Sequence, residues 1–225
     1  MKAALLVFAK VPEPGRVKTR LSPPLTARQA ADLYDAFLRD ALDRYAAWGR
    51  ERGVAVHLHL SSRSGADLEG ALGDLPDGLE VREQRGDGLG DRMMRAFVEA
   101  FAAGFDRVVV VGTDHPTLPL AFFDLALEAL DAPMTAAIGP SDDGGYYLLG
   151  LNDVAPALFD MEYSHARVFE DTLERVFEVG LEAVVLPPHY DVDDGSTLER
   201  LLGEWREGVA VGERTGRLLE RLTEG

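Results

Sequence analysis

Apolar runs rich in Val, Leu and Ile recur at 3–9 (AALLVFA), 54–60 (VAVHLHL), 79–84, 107–112 (RVVVVG), 134–139 and 181–186 (LEAVVL), each of strand length. Another apolar strand begins at Tyr146-Tyr147. Between most of them lie segments whose apolar positions repeat at helical spacing. The longest runs from Thr26 to about Trp48, with Ala30, Leu33, Tyr34, Phe37, Leu38, Ala41 and Leu42 on one face. It opens with Thr26-Ala27-Arg28-Gln29, a capping-box pattern. Further helices are expected at 91–103, 119–131, 165–179 and 196–206, with a polar C-terminal helix near 213–222. Strands such as VVVV are apolar on both faces, as buried parallel strands must be, so the alternation predicts an α/β domain with a mostly parallel sheet between helix layers.

Composition narrows this picture. The 225 residues are 46% apolar, enough for a core without staples, and one domain spanning 1–225 is expected, with no repeat or long linker. Cysteine is absent, which excludes disulfides and thiolate metal sites. The first apolar run is cut off by Lys10 and two prolines, too early for a membrane span or a secretion signal, so a soluble, cytoplasmic protein is expected. The formal charge of −16 argues against a nucleic-acid partner. Residues 1–30 invert that sign: Lys2, Lys10, Arg16, Lys18, Arg20 and Arg28 stand against Glu13 alone. A basic island of this kind suits a small anionic ligand.

In open α/β sheets ligands bind beyond the carboxyl ends of the strands, and four such loops carry unusual residues. In VPEPGRVKTRL, Gly15 permits a tight turn, and Arg16, Lys18 and Arg20 fall on one side if the segment is extended. Arg offers bidentate bonds to phosphate and Lys a mobile point charge; a solvated basic loop is the plainer alternative. In VVVVGTDHPTLP, Asp114 ends a buried strand, where a carboxylate needs a cation or serves as a helix cap, and His115 reads as a loop residue. In IGPSDDGGYYLLGL, Asp143 could act as a base beside Gly144 and Gly145, or the segment is an ordinary Asp-Gly hairpin turn. In HYDVDDGSTLERL, Asp191, Asp193 and Asp194 would repel one another unless a cation is shared or one acid caps the next helix; extended backbone would turn Asp191 and Asp193 the same way. Asp114 with this cluster makes a reasonable Mg2+ or Mn2+ site.

Two weaker features remain. QRGDGLGDRMMRAF is a Gly-rich loop opening a helix, able to offer amides to an anion or simply to supply core residues. His57 and His59 share one side of a strand without a third ligand nearby, which argues against zinc.

Taken in order and spacing, FAKVPEPGRVKTRL, LGDRM, VVVGTDHPTLP, GPSDDGGYYLLGL and YDVDD resemble a bacterial family of GT-A-superfamily proteins carried under a glycosyltransferase label and related to phospholactate guanylyltransferase. The resemblance implies a single-domain nucleotide-diphospho-sugar transferase (GT-A, Rossmann-like) fold that takes a nucleotide sugar or nucleoside triphosphate (NTP), a small-molecule acceptor and Mg2+ or Mn2+. It implies that Gly15, Arg16, Lys18 and Arg20 serve the phosphates, with Lys18 and Asp143 acting in catalysis. Asp114 would be the principal metal ligand, and Asp191 or Asp193 the second. Asp143, Gly144, Gly145 and Tyr146 would face the acceptor, and Gly90 and Arg92 match the family's LG-x-R segment. Tyr163-Ser164-His165 replaces the usual Trp-Ser-Thr, and DVDDGSTLERL replaces DVDT-x-x-DL. Glycosyl transfer ranks first on the family label, nucleotidyl transfer close behind, and non-catalytic nucleotide binding third; oligomeric state is left open.

Overall fold

The computed structural model describes residues 1–61 and 72–224. All seven strands join one sheet in the order β3-β2-β1-β4-β6-β5-β7. They are β1 (Ala3–Lys10), β2 (Ala55–Ser61), β3 (Glu80–Glu83), β4 (Arg107–Val111), β5 (Thr135–Pro140), β6 (Tyr146–Leu151) and β7 (Glu182–Val185). Six α-helices are present among the described residues: α1 (Ala27–Arg52), α2 (Leu89–Ala102), α3 (Ala121–Ala129), α4 (Val168–Glu178), α5 (Gly195–Arg206) and α6 (Glu213–Glu224). The pairings β1–β2, β1–β4, β2–β3 and β5–β7 are parallel, and β6 runs antiparallel to both β4 and β5. The mostly parallel sheet is therefore as expected, and the GPSDDGG segment is the turn of the β5–β6 hairpin. No helix among the described residues is long and apolar enough to cross a membrane.

Alternation in β1 shows why the sheet is buried on both sides. Leu5 and Val7 join a core under α1 and α3 with Leu42, Trp48 and Phe123, while Ala4 and Leu6 join a second core under α2 and α4 with Phe97 and Val176. The Thr26 capping box forms as expected, and α1 runs one turn past Trp48 before Gly53 ends it in left-handed backbone (φ 66°). A third cluster lies off the sheet and joins the loop after β1 (Leu21, Leu25), α1 (Phe37), the loop before α5 (Tyr190, Val192) and α6 (Leu219). The C-terminal helix, polar as a sequence, thus packs a leucine face inward.

Asp40 of α1 holds that helix by its first turn. Its carboxylate is buried, with Oδ2 accepting from Thr215 N at 2.8 Å and Oδ1 from Arg214 N at 3.2 Å. Asp40→Ala leaves those donors without a partner and is expected to cost about 2 kcal/mol, read from urea denaturation.

His57 and His59 do share a face. His59 stacks on Phe8 (5.3 Å), and His57 lies edge-on to Phe105 with Nε2 3.5 Å from Glu80. Burial, with Arg82 nearby, pushes His59 down to about 4. The unfolded chain, with its ordinary value of 6.5, therefore binds the extra proton first. Stability present above pH 6.5 is lost as the pH falls towards 4, on the order of 3 kcal/mol when complete. His59→Leu should flatten this slope between pH 6.5 and 5 in thermal melts.

Candidate active site

The four loops singled out above converge at the carboxyl ends of β1, β4 and β5. The basic loop is not extended. Arg16 N and Val17 N both bond back to Glu13 O, Lys18 takes left-handed backbone (φ 48°), and a 3-10 turn follows at Thr19–Leu21. Val17 and Leu21 are buried by this turn, and the Lys18 side chain goes inward with them. The three cations still border one cleft, but they are not equivalent. Arg16 is exposed and pairs with Glu13 at 3.1 Å, and Arg20 is exposed beside Asp194 at 3.4 Å. Lys18 has a side chain only 4% exposed, with its Nζ 2.9 Å from Asp114 Oδ2 and 2.6 Å from Asp193 Oδ1. Burial by itself works against its charge, and the two carboxylates more than reverse that, so its pKa is raised.

Asp114 follows the buried strand β4. Its carbonyl accepts from Val192 N (3.0 Å), and Arg44 of α1 donates to Pro116 O (3.1 Å) and Leu118 O (2.8 Å), fixing the loop. Asp114 Oδ1 is buried and finds no donor. In the loop before α5 the acids divide their work. Asp194 is the helix cap, accepting from Ser196 N and Thr197 N, and bonds to Thr197 and Ser196 hold it down to about 2. Asp193 meets Lys18. Asp191 accepts on Oδ1 from Ser141 Oγ (2.8 Å) and lies 2.9 Å from His115 Nδ1. Burial pushes Asp191 up, but His115, Ser141 and Lys18 together outweigh it and leave the value at about 2.

In the β5–β6 turn, Gly144 has φ 89° and its carbonyl accepts from Phe169 N at 2.8 Å. Asp143 is exposed, accepting from Gly145 N at 2.9 Å. Asp142 pairs with Arg200 (2.8 Å), whose guanidinium covers the Tyr190 ring at 3.7 Å. Asp143, Asp191 and Asp193 each bring one oxygen within 4.8 Å of the other two. These three carboxylates form an all-oxygen donor set, which fits a hard divalent cation; Asp114, read from sequence as the principal ligand, is not grouped with them and faces Lys18 instead.

The cleft has a volume of about 470 Å³ and adjoins a second of about 450 Å³, the two sharing Lys10, Arg16 and Arg92. Lys10, Arg16, Lys18, Arg20 and Arg92 line the first against Asp114 and Asp193, a formal +3. Arg92 is held by Gly86 O and Ser61 Oγ, both at 3.1 Å. Gly90 is elsewhere: a Cβ there would strike the Tyr163 ring and Phe159 O, so its glycine serves helix packing. Tyr146 also turns away. Its ring packs in the α2-side core with its hydroxyl 3.7 Å from Met93 Sδ, because alternation along β6 sends Tyr147 to the opposite face. Several cleft residues carried no sequence signal of their own. Tyr34, read as a core position, accepts from Lys10 N (2.8 Å) at the cleft wall, and burial pushes its hydroxyl up to about 12. Gln84 donates to Ala9 O and His59 O, which leaves its Oε1 free as an acceptor.

Sheet order, the antiparallel sixth strand and a cleft over the carboxyl ends define a GT-A-like nucleotide-diphospho-sugar transferase fold. The chain belongs to a family described as uncharacterized protein conserved in bacteria (DUF2064), whose pattern it matches over residues 45–165. It is similar to a candidate nucleotide-diphospho-sugar transferase from Desulfovibrio desulfuricans G20, with 34% identity, 100% of this chain and 96% of that chain covered, and a TM-score of 0.85. Two more distant structures share the fold. One is 4-diphosphocytidyl-2C-methyl-D-erythritol synthase from Anaerococcus prevotii (9% identity, 91% and 98% covered, TM-score 0.57). The other is CMP:2-keto-3-deoxy-manno-octonic acid synthetase complexed with CTP (14% identity, 92% and 99% covered, TM-score 0.50). No curated protein matches the chain.

Proposed function

We propose that this protein is a divalent-cation-dependent nucleotidyltransferase, using an NTP and a phosphorylated small-molecule acceptor. The observation that carries this reading is the number of cationic side chains lining the cleft. Five cations against two acids leave +3 beside the three-acid cluster. An NTP brings about −4 and a nucleotide sugar about −2; with Asp143 and Asp191 counted beside the dication, the two leave about −1 and about +1, so net charge does not separate them, and it is the five cations lining the cleft that suit the longer phosphate chain. The fold relative solved in complex with CTP supports the same reading.

An acceptor phosphate oxygen would attack the α-phosphorus while the bond to the bridging α–β oxygen breaks, releasing pyrophosphate. Arg16 and Arg20 would hold the departing phosphates, and Lys18 would follow charge onto the bridging oxygen. Asp114, Asp191, Asp193 and Asp143 would hold Mg2+ or Mn2+, which when bound supplies charge stabilisation to the phosphates. Asp143 and the Gly144–Gly145 turn would border the acceptor. A phosphate monoester acceptor is already ionised, so no general base is required.

Glycosyl transfer from a nucleotide sugar is the second reading, favoured by the name of the 34% identical relative. The two separate on product. The purified protein is incubated with Mg2+, NTPs, nucleotide sugars and a panel of phosphorylated acceptors, and thermal shift, pyrophosphate and nucleoside diphosphate are followed. Metal-dependent pyrophosphate release is expected. Diphosphate release instead establishes sugar transfer, and a shift without product establishes a sensor. If no nucleotide moves the melting temperature, with or without metal, the site reading fails.

A further inference from the structure

Asp191 is fixed from behind in a way that its two neighbours in the acid cluster are not. Asp143 is exposed on a turn, and Asp193 faces the Lys18 ammonium. Asp191 instead has two groups converging on one oxygen, a hydrogen bond from Ser141 Oγ at 2.8 Å and the His115 Nδ1 in ion-pair contact at 2.9 Å, and among the described residues no protein donor reaches Oδ2. His115 is itself locked. It is buried, its Nδ1 also lies 3.2 Å from Tyr190 O, and its ring sits edge-on to Tyr147 with centroids 5.7 Å apart. Ser141 is anchored at the base of the β5–β6 hairpin by a bond from its N to Gly145 O (2.9 Å) and a bridge to His189. The three loops that carry acids are thus pinned together at a single carboxylate oxygen.

We infer that His115 and Ser141 are positioning residues, which saturate Asp191 Oδ1 and so present Oδ2 to a divalent cation shared with Asp143 and Asp193. This rests on the reading that the acid cluster takes such a cation. Without the two donors, repulsion from the neighbouring carboxylates would turn Asp191 out of the cluster. Outer partners that orient a ligand typically contribute 10–100-fold to metal affinity.

The test is Mn2+ binding to the purified full chain without nucleotide, followed by the loss of the free-ion electron paramagnetic resonance signal. His115→Leu is expected to bind about 10–100-fold more weakly, and Ser141→Ala to weaken binding in the same direction. His115→Asn, which can place an N–H near the position of Nδ1, is expected to stay close to the parent. A folded His115→Leu protein with parental affinity overturns the inference. So does His115→Asn binding as weakly as His115→Leu, since the ring's packing and not its donor would then matter. If His115→Leu does not fold, as judged by its thermal melt, Ser141→Ala decides: weakened binding supports the inference and parental affinity overturns it. A parent protein that binds no Mn2+ removes the metal reading, and this inference falls with it.

Discussion

Lys18→Met is expected to reduce turnover by at least 10²–10³-fold while the protein stays folded. Methionine fills a similar volume but carries no charge, and the position it takes is nearly closed to water. Losing the partner of a fully buried ion pair would cost about 3–5 kcal/mol, but Asp114 and Asp193 are each about a third exposed, so a loss of 1–2 kcal/mol is expected. The two acids then face each other without a cation between them. Added Mg2+ should therefore raise the melting temperature of Lys18→Met by more than that of the parent, because the ion replaces the missing ammonium. Asp114→Ala should lose turnover equally without that extra response to Mg2+. Steady-state rates and melts with and without Mg2+ check both variants, and parental turnover in either would end its assignment.

Gly144→Ala is expected to destabilise the protein by about 3 kcal/mol or more and to lose activity beyond that. Two causes add. The residue has φ 89°, which costs an alanine about 1–2 kcal/mol. The added Cβ would also run into Ala166 O, a backbone atom that no rotamer change can move. Relieving the clash shifts the turn that carries Asp143 away from the start of α4, where Phe169 N is bonded to Gly144 O. Gly15→Ala is the matched control: its φ is 75° but a Cβ there meets nothing within 4 Å, so only the backbone term, about 1 kcal/mol, is expected. Urea denaturation of both separates strain from collision, and equal losses would mean that the Ala166 contact does not matter.

The fold was legible because its signals are local and periodic. Most strands are short apolar runs, the edge strand β3 (EVRE) being the exception, and the Thr26–Gln29 box fixes the start of α1 within the sequence itself. Charge placement made the four site loops legible as well. What sequence could not carry was partnership across the chain. Lys18 and Asp193 are 175 positions apart, and nothing in VKTRL says that its lysine is buried while its arginines are not. His115 had no periodic context, and its partner Asp191 lies in another loop. The side of β6 that Tyr146 faces was unreadable for a different reason: the strand is apolar on both faces, so hydrophobicity does not set its parity. The glycine of LGDR was ambiguous because close packing under Tyr163 and an anion-binding loop both call for the same residue.

The off-sheet cluster around Leu21, Phe37, Tyr190, Val192 and Leu219 gives the site a mechanical character. The basic loop and the acidic loop before α5 both anchor in this small body, and Asp40 closes it at the C-terminal helix. Loosening that helix should let the two loops part while the seven strands remain intact. Amide exchange at residues 18–25 and 190–198 should then quicken together, so that α6 governs the grip of a cleft it does not line.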